Sequence, residues 1–210
     1  MMAISNYTEL QTAVANWLDR DDLTARIPEF ISLCEARFNR TLRLRAMETL
    51  DTSVSTVAGT STIALPSGYV QMREFHLTTS PLTQLQYLTP EMMVRLNAGS
   101  QQGKPLTYTI IGDNIRLGPT PDVVYTTSML YYKTFDLLTD VAPTNWVIEN
   151  APDVYLYGTL LEAEPFLMND ARTQLWAQAL QESINTLQEQ DNKDRHSGSI
   201  LRVMNTGGYY

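Results

Sequence analysis

At 210 residues, 43% of them hydrophobic, the chain is long enough to close a sizeable core, as one domain with an insert. Its formal charge of −8, with 15 Lys/Arg against 23 Asp/Glu, excludes the basic footprint with which proteins grip nucleic acid. The single cysteine, Cys34, excludes an internal disulfide framework and a cysteine-based zinc cluster. Without a basic-then-apolar start or an apolar run of bilayer length, the sequence leads us to expect a soluble protein made in a cytoplasm, with no membrane contact.

Asn6 predicts a first helix, with Glu9 three residues on and Tyr7, Leu10, Val14, Trp17 and Leu18 at helical spacing; Asp19-Arg20-Asp21-Asp22 breaks it. The second helix runs from Ile27-Pro28 to about Arg45, with Ile27, Ile31, Cys34, Phe38 and Leu42 on one apolar face. Cys34 reads there as a small buried hydrophobe. Arg37, Arg40 and Arg43 lie at three-residue steps away from that stripe, either solvated or paired with acid on another element.

From about Asp51 to Phe135 the texture changes to Thr, Val, Ile and Tyr punctuated by Gly and Pro, which predicts short strands and turns. The most legible piece is a hairpin, 106–111 and 115–117 around Gly112-Asp113-Asn114. Between strands, Pro90 to Asn97 can form a turn or two of helix with Met92, Met93 and Leu96 turned inward. After a strand at 128–134 the chain returns to helix: Asn150 is a candidate cap with Pro152 in the first turn, and Val154, Tyr157, Leu160 and Leu161 supply the buried face up to Pro165. A final helix, from about Asn169 to Gln190, packs through Leu175, Trp176, Ala179, Leu180, Ile184 and Leu187. From Lys193 on no helical period is visible, and the segment reads as an extended C-terminal arm.

The fold class read from this order is α+β: an antiparallel-type helical bundle from both chain ends, with an inserted small β subdomain and the arm. The divisions are 1–50 (N-terminal helices), 51–147 (β-rich insert), 148–192 (C-terminal helices) and 193–210 (arm). Charge is uneven across them. Residues 1–50 hold six cations against seven acids, 51–149 five against eight, 150–192 one against seven, and 193–210 three against one. Acidic C-terminal helices therefore face either solvent or the arginine helix of a neighbour.

Catalytic and cofactor motifs are missing. His76 and His196 stand in no metal-ligand spacing, and neither a Gly-x-Gly-x-x-Gly loop nor a Walker loop occurs, so no metal and no cofactor is expected. The nearest nucleophile pattern is Ser197-Gly198-Ser199 in the arm. Glu162 and Glu164 are the best acid/base candidates, which would suit a peptidoglycan hydrolase, but at i and i+2 they point to different sides of a helix. A glycan-binding β module would instead use exposed aromatics such as Tyr87 and Tyr108.

The order helices, long β insert, helices, arm resembles that of bacteriophage head-to-tail connector adaptors. The resemblance rests on Tyr7-Thr8-Glu9-Leu10 with Ala13 to Leu18, the helix from Ile27 to Thr49, Leu117-Gly118-Pro119-Thr120-Pro121, Tyr131-Tyr132, Asn145-Trp146-Val147 and Leu160-Leu161-Glu162-Ala163. It implies a structural virion protein rather than an enzyme. About a dozen copies would form a ring between the portal and the tail or nozzle protein, and genomic double-stranded DNA would pass without specific binding. The location would be the head–tail interface, with host cytoplasm during assembly. Inter-subunit contact is then expected from Arg37, Arg40 and Arg43, and portal binding from Arg195, Ile200, Leu201, Arg202, Val203, Met204, Tyr209 and Tyr210.

Overall fold

The structure, a computed structural model, describes residues 4–97, 101–167 and 172–196. It is a mixed α+β protein with seven α-helices and two four-stranded sheets among the described residues. Contacts divide it into two units: one holds the residues up to Arg45 and those from Asp136 onward, the other Ala46–Phe135.

In the helical unit, α1 (Tyr7–Leu18) starts where the Asn6 side chain accepts the Glu9 N–H, and it stops at Asp19, which adopts the left-handed conformation with φ 53°. The Glu9 carboxylate reaches back to the backbone N–H and hydroxyl of Ser5, which holds its pKa below the usual carboxylate range. Tyr7, Leu10, Val14 and Leu18 are buried as the spacing predicts, but Trp17 is half exposed, edge-on to Tyr157.

After a 3-10 stretch (Asp21–Arg26), α2 covers Ile27–Thr41 and ends four residues before the expected Arg45. Leu42 is extended (φ −81°, ψ 142°), and it and Leu44 are both fully buried. Residues two apart share a face in extended chain but not in a helix, so burying both leucines breaks the helix. Strand β1 is Glu48–Asp51, so Glu48 and Thr49, the last two residues of the helix that the resemblance stretched to Thr49, are extended.

The short helix α4 (Trp146–Asn150) is capped by Asn145, whose side chain accepts the Val147 and Ile148 N–H groups. Asn150 is thus not the cap of the next helix: its amide bonds back to the Trp146 carbonyl, and α5 (Pro152–Glu162) follows from Ala151 without a side-chain cap. Helix α5 buries Val154, Tyr155, Leu156, Gly158, Thr159 and Leu160, almost its whole circumference, because α1, α2, α4 and α7 all pack against it. Tyr157 and Leu161, expected in the core, are only half-buried. Pro165 lies in a four-residue helix, α6 (Glu164–Leu167). Helix α7 (Arg172–His196) buries Trp176, Leu180 and Leu187 but leaves Leu175 exposed. It runs to His196, so residues 193–196, expected in the arm, are helical.

In the β unit, one sheet has the order β1 (Glu48–Asp51), β8 (Thr127–Lys133), β3 (Tyr69–Leu77), β4 (Thr83–Gln84), and the other β2 (Thr62–Ala64), β7 (Asn114–Gly118), β6 (Thr107–Ile111), β5 (Gln86–Tyr87). All pairings are antiparallel except β5 with β6. The predicted hairpin is β6–β7, with Gly112 at φ 58° in its two-residue turn, a conformation that glycine adopts without penalty. Alternate residues of both sheets, Phe75, Leu77, Met129 and Tyr131 with Ile63, Tyr108, Ile115 and Leu117, make one core. Helix α3 (Pro90–Leu96) adds only Met93 as a buried side chain; Met92 and Leu96, expected to face inward, are exposed. A seven-residue helix packed against β6 buries one narrow stripe, and Met93 occupies it.

Candidate functional site

Helices α2 and α5 cross where Gly158 leaves room for Cys34 and Phe38. A Cβ on Gly158 would lie 2.5 Å from Cys34 Sγ and 3.0 Å from Phe38 Cζ. Cys34 is fully buried, and that burial pushes its thiol pKa up, which makes it inert packing rather than a nucleophile.

One turn of α2 beside Cys34 lies a group that the sequence reading missed. Glu35 is only 4% exposed. Its Oε1 accepts the Leu138 N–H at 2.7 Å and the Tyr155 hydroxyl at 3.1 Å. Asn145 Nδ2 donates to that same hydroxyl at 2.7 Å and to the Asp136 carbonyl at 2.8 Å. Burial pushes Glu35 above the usual carboxylate range, against the two hydrogen bonds that favour its charge, and burial likewise raises Tyr155. The network ties α2, α5 and the 136–145 segment together. Its signal was present: Glu35 stands four residues after Ile31 and three before Phe38, on the edge of the apolar face.

The three arginines of the second helix have three different fates. Arg37 forms an ion pair with Glu162 at 2.5 Å, between α2 and the end of α5. Arg43 folds back to donate to the Asn39 and Leu42 carbonyls, satisfying the C-terminal end of α2. Arg40 is exposed, and no acid among the described residues pairs with it. Arg37 thus pairs this helix with a C-terminal acid within the chain.

Arg195 belongs to α7, where it is half-buried and bonded to Asp191 at 3.0 Å. Asp191 also accepts the Arg45 N–H at 2.8 Å, and the Arg45 guanidinium lies 3.9 Å from Asp194. The end of α7 is therefore fastened to the end of the first chain segment. The other expected portal-binding residues, Ile200, Leu201, Arg202, Val203, Met204, Tyr209 and Tyr210, lie outside the described residues.

Of the two candidate carboxylates, Glu162 is engaged by Arg37, and Glu164 is exposed on α6. No group of three or more His, Cys, Asp or Glu among the described residues could hold a metal ion. No helix of the described residues is long and apolar enough to cross a membrane. In the β unit, a cleft of about 580 Å³ is lined by Arg73, Glu74, Gln84, Gln86, Tyr87 and Tyr108 among others. Tyr87 is half exposed and set edge-on to Tyr108, whereas Tyr108 is buried in the core. Arg73 there is engaged by Glu48 and lies over the Tyr132 ring. A second groove, about 390 Å³, runs between α5 and α7 and includes Asp153, Tyr157, Ala179 and Glu182.

Ion pairs thus join helix to helix at Arg37–Glu162 and strand to strand at Arg73–Glu48. The chain belongs to the SU10 adaptor protein family, which it matches over residues 5–203, consistent with a phage head-to-tail adaptor. No curated protein matches the chain.

Proposed function

We propose that this protein is the structural adaptor between head and tail of a phage: copies form a ring, about a dozen strong, between portal and tail or nozzle protein, and genomic DNA passes through it. The observation that carries the reading is the family match, which takes in both units and runs past the last described residue, His196. The electrostatics support it. With one cation against seven acids in residues 150–192, the C-terminal helices offer phosphate little to hold, and affinity for DNA grows with each cation that displaces counterions.

Residues 197–210 are the portal-binding segment in this reading. Ile200, Leu201, Val203, Met204, Tyr209 and Tyr210 supply apolar anchors, Arg202 meets acidic portal groups, and many copies hold by avidity. Arg195 acts at the root of the segment, fixing the end of α7 through Asp191. Arg37 and Arg43 serve the subunit and Arg40 its neighbour. Electron microscopy of portal particles mixed with the full chain tests the proposal: an added ring of density on the portal supports it, and bare portal at saturating protein removes it.

A further inference from the structure

Helix α2 has an outer face with no covering element among the described residues. At about 100° per residue, Leu33, Ala36 and Arg40 fall opposite the buried Cys34 and Phe38. Leu33 is 53% exposed, and Arg40 follows two turns later, about 10 Å along the axis. Glu29 on the same face is already paired with Arg26 at 3.6 Å. What the face presents is one apolar knob and one cation without an acid.

The groove between α5 and α7 has the complementary character. Asp153 and Glu182 both line it, together with Tyr157, Ala179 and the polar side chains of Asn150, Ser183, Thr186 and Gln190. No cation among the described residues pairs with either carboxylate, whereas Glu162 is held by Arg37, and Asp191 and Asp194 by Arg45 and Arg195. Unpaired charge of opposite sign is thus sorted onto two separate faces of one helical unit.

We propose that the outer face of α2 on one copy docks into the α5–α7 groove of the next, with Leu33 against Tyr157 and Ala179 and Arg40 between Asp153 and Glu182. The inference rests on the ring reading above. An isologous α2–α2 contact would set Arg40 against Arg40, so the complementary partner is a different face of a second copy. Contacts of that head-to-tail kind form a ring when the rotation from copy to copy closes. An arginine seated in such a groove can bond both carboxylates at once through its planar fork.

The test uses the full chain with Arg40→Glu, with Glu182→Arg, and with the two variants mixed in equal amounts, each presented with the cognate portal protein and followed by native mass spectrometry. Like charges then face each other in every contact of either variant alone, and each should need at least ~10-fold more protein to form rings. The mixture should assemble at lower concentration than either variant alone, since alternating copies place a native pair or a swapped pair at every contact, with Asp153 opposing the swapped one. Circular dichroism should show both variants folded, as both side chains are exposed. Assembly of either single variant at wild-type concentration, or a mixture no better than its components, overturns the proposal while leaving the ring reading standing. If the wild-type chain forms no ring with portal, both fall.

Discussion

Arg37 on α2 and Glu162 at the last position of α5 are joined at 2.5 Å, with only 16% of the Glu162 side chain exposed. The pair fixes the crossing of the two helices beside Gly158, and it takes from the outer surface both an arginine and a carboxylate that sequence patterning left available.

Replacing Arg37 by Ala should therefore lower stability by about 1 kcal/mol, because it leaves a mostly buried carboxylate unpaired. Arg40→Ala, three residues on, should leave stability within about 0.5 kcal/mol of wild type. Urea unfolding of the two variants checks this. Equal losses would mean that Arg40 also has a partner within the chain.

Gly158→Ala should destabilise the protein although Ala is the better helix former. The added methyl would meet Cys34 Sγ at 2.5 Å, and overpacking of this kind costs about 1–3 kcal/mol against a helix-propensity gain of about 1. Adding Cys34→Ala should recover part of the loss by vacating that volume, a coupling that a double-mutant cycle measures.

Stability should also depend on pH through Glu35. Its folded pKa lies above the unfolded one, so the folded state holds the proton more tightly. The contribution is complete below the unfolded value of about 4.3, declines as pH rises and is lost once pH passes the folded value. Glu35→Gln keeps an oxygen for the Leu138 N–H and the Tyr155 hydroxyl and should flatten this part of the profile. Glu35→Leu leaves the Leu138 N–H buried without an acceptor and should cost about 2 kcal/mol. Denaturation midpoints between pH 4 and 8 for the three proteins read out both effects.

Much of this was legible in local chemistry. The Asn6 cap, the Asp19 stop, the hairpin at Gly112 and the burial of Cys34 follow from residues within a turn of one another. What escaped depends on distant partners. The end of α2 is set by the joint burial of Leu42 and Leu44, and the extension of α7 to His196 is favoured by Asp191 and Asp194 meeting Arg45. The Asn145 cap displaced Asn150 because Asn145 also reaches Tyr155 and the Asp136 carbonyl, contacts that local spacing does not show. At the candidate site, three arginines alike in sequence were separated only by what each could reach.

The end of α7 yields a further prediction. Removing residues 197–210 should leave helix content and thermal stability nearly unchanged while abolishing portal attachment. Removing residues 193–210 deletes Asp194 and Arg195 as well, loosening the tie to Arg45, and should lower the melting temperature measurably. If the chain ending at His196 still decorates portal with wild-type affinity, docking resides on another surface.

The most direct measurement is the mass of the full chain, first alone and then mixed with the cognate portal protein. The account predicts a largely monomeric protein in isolation and, on portal, a defined ring of about a dozen copies. A stable dimer whose mass portal does not change would contradict it.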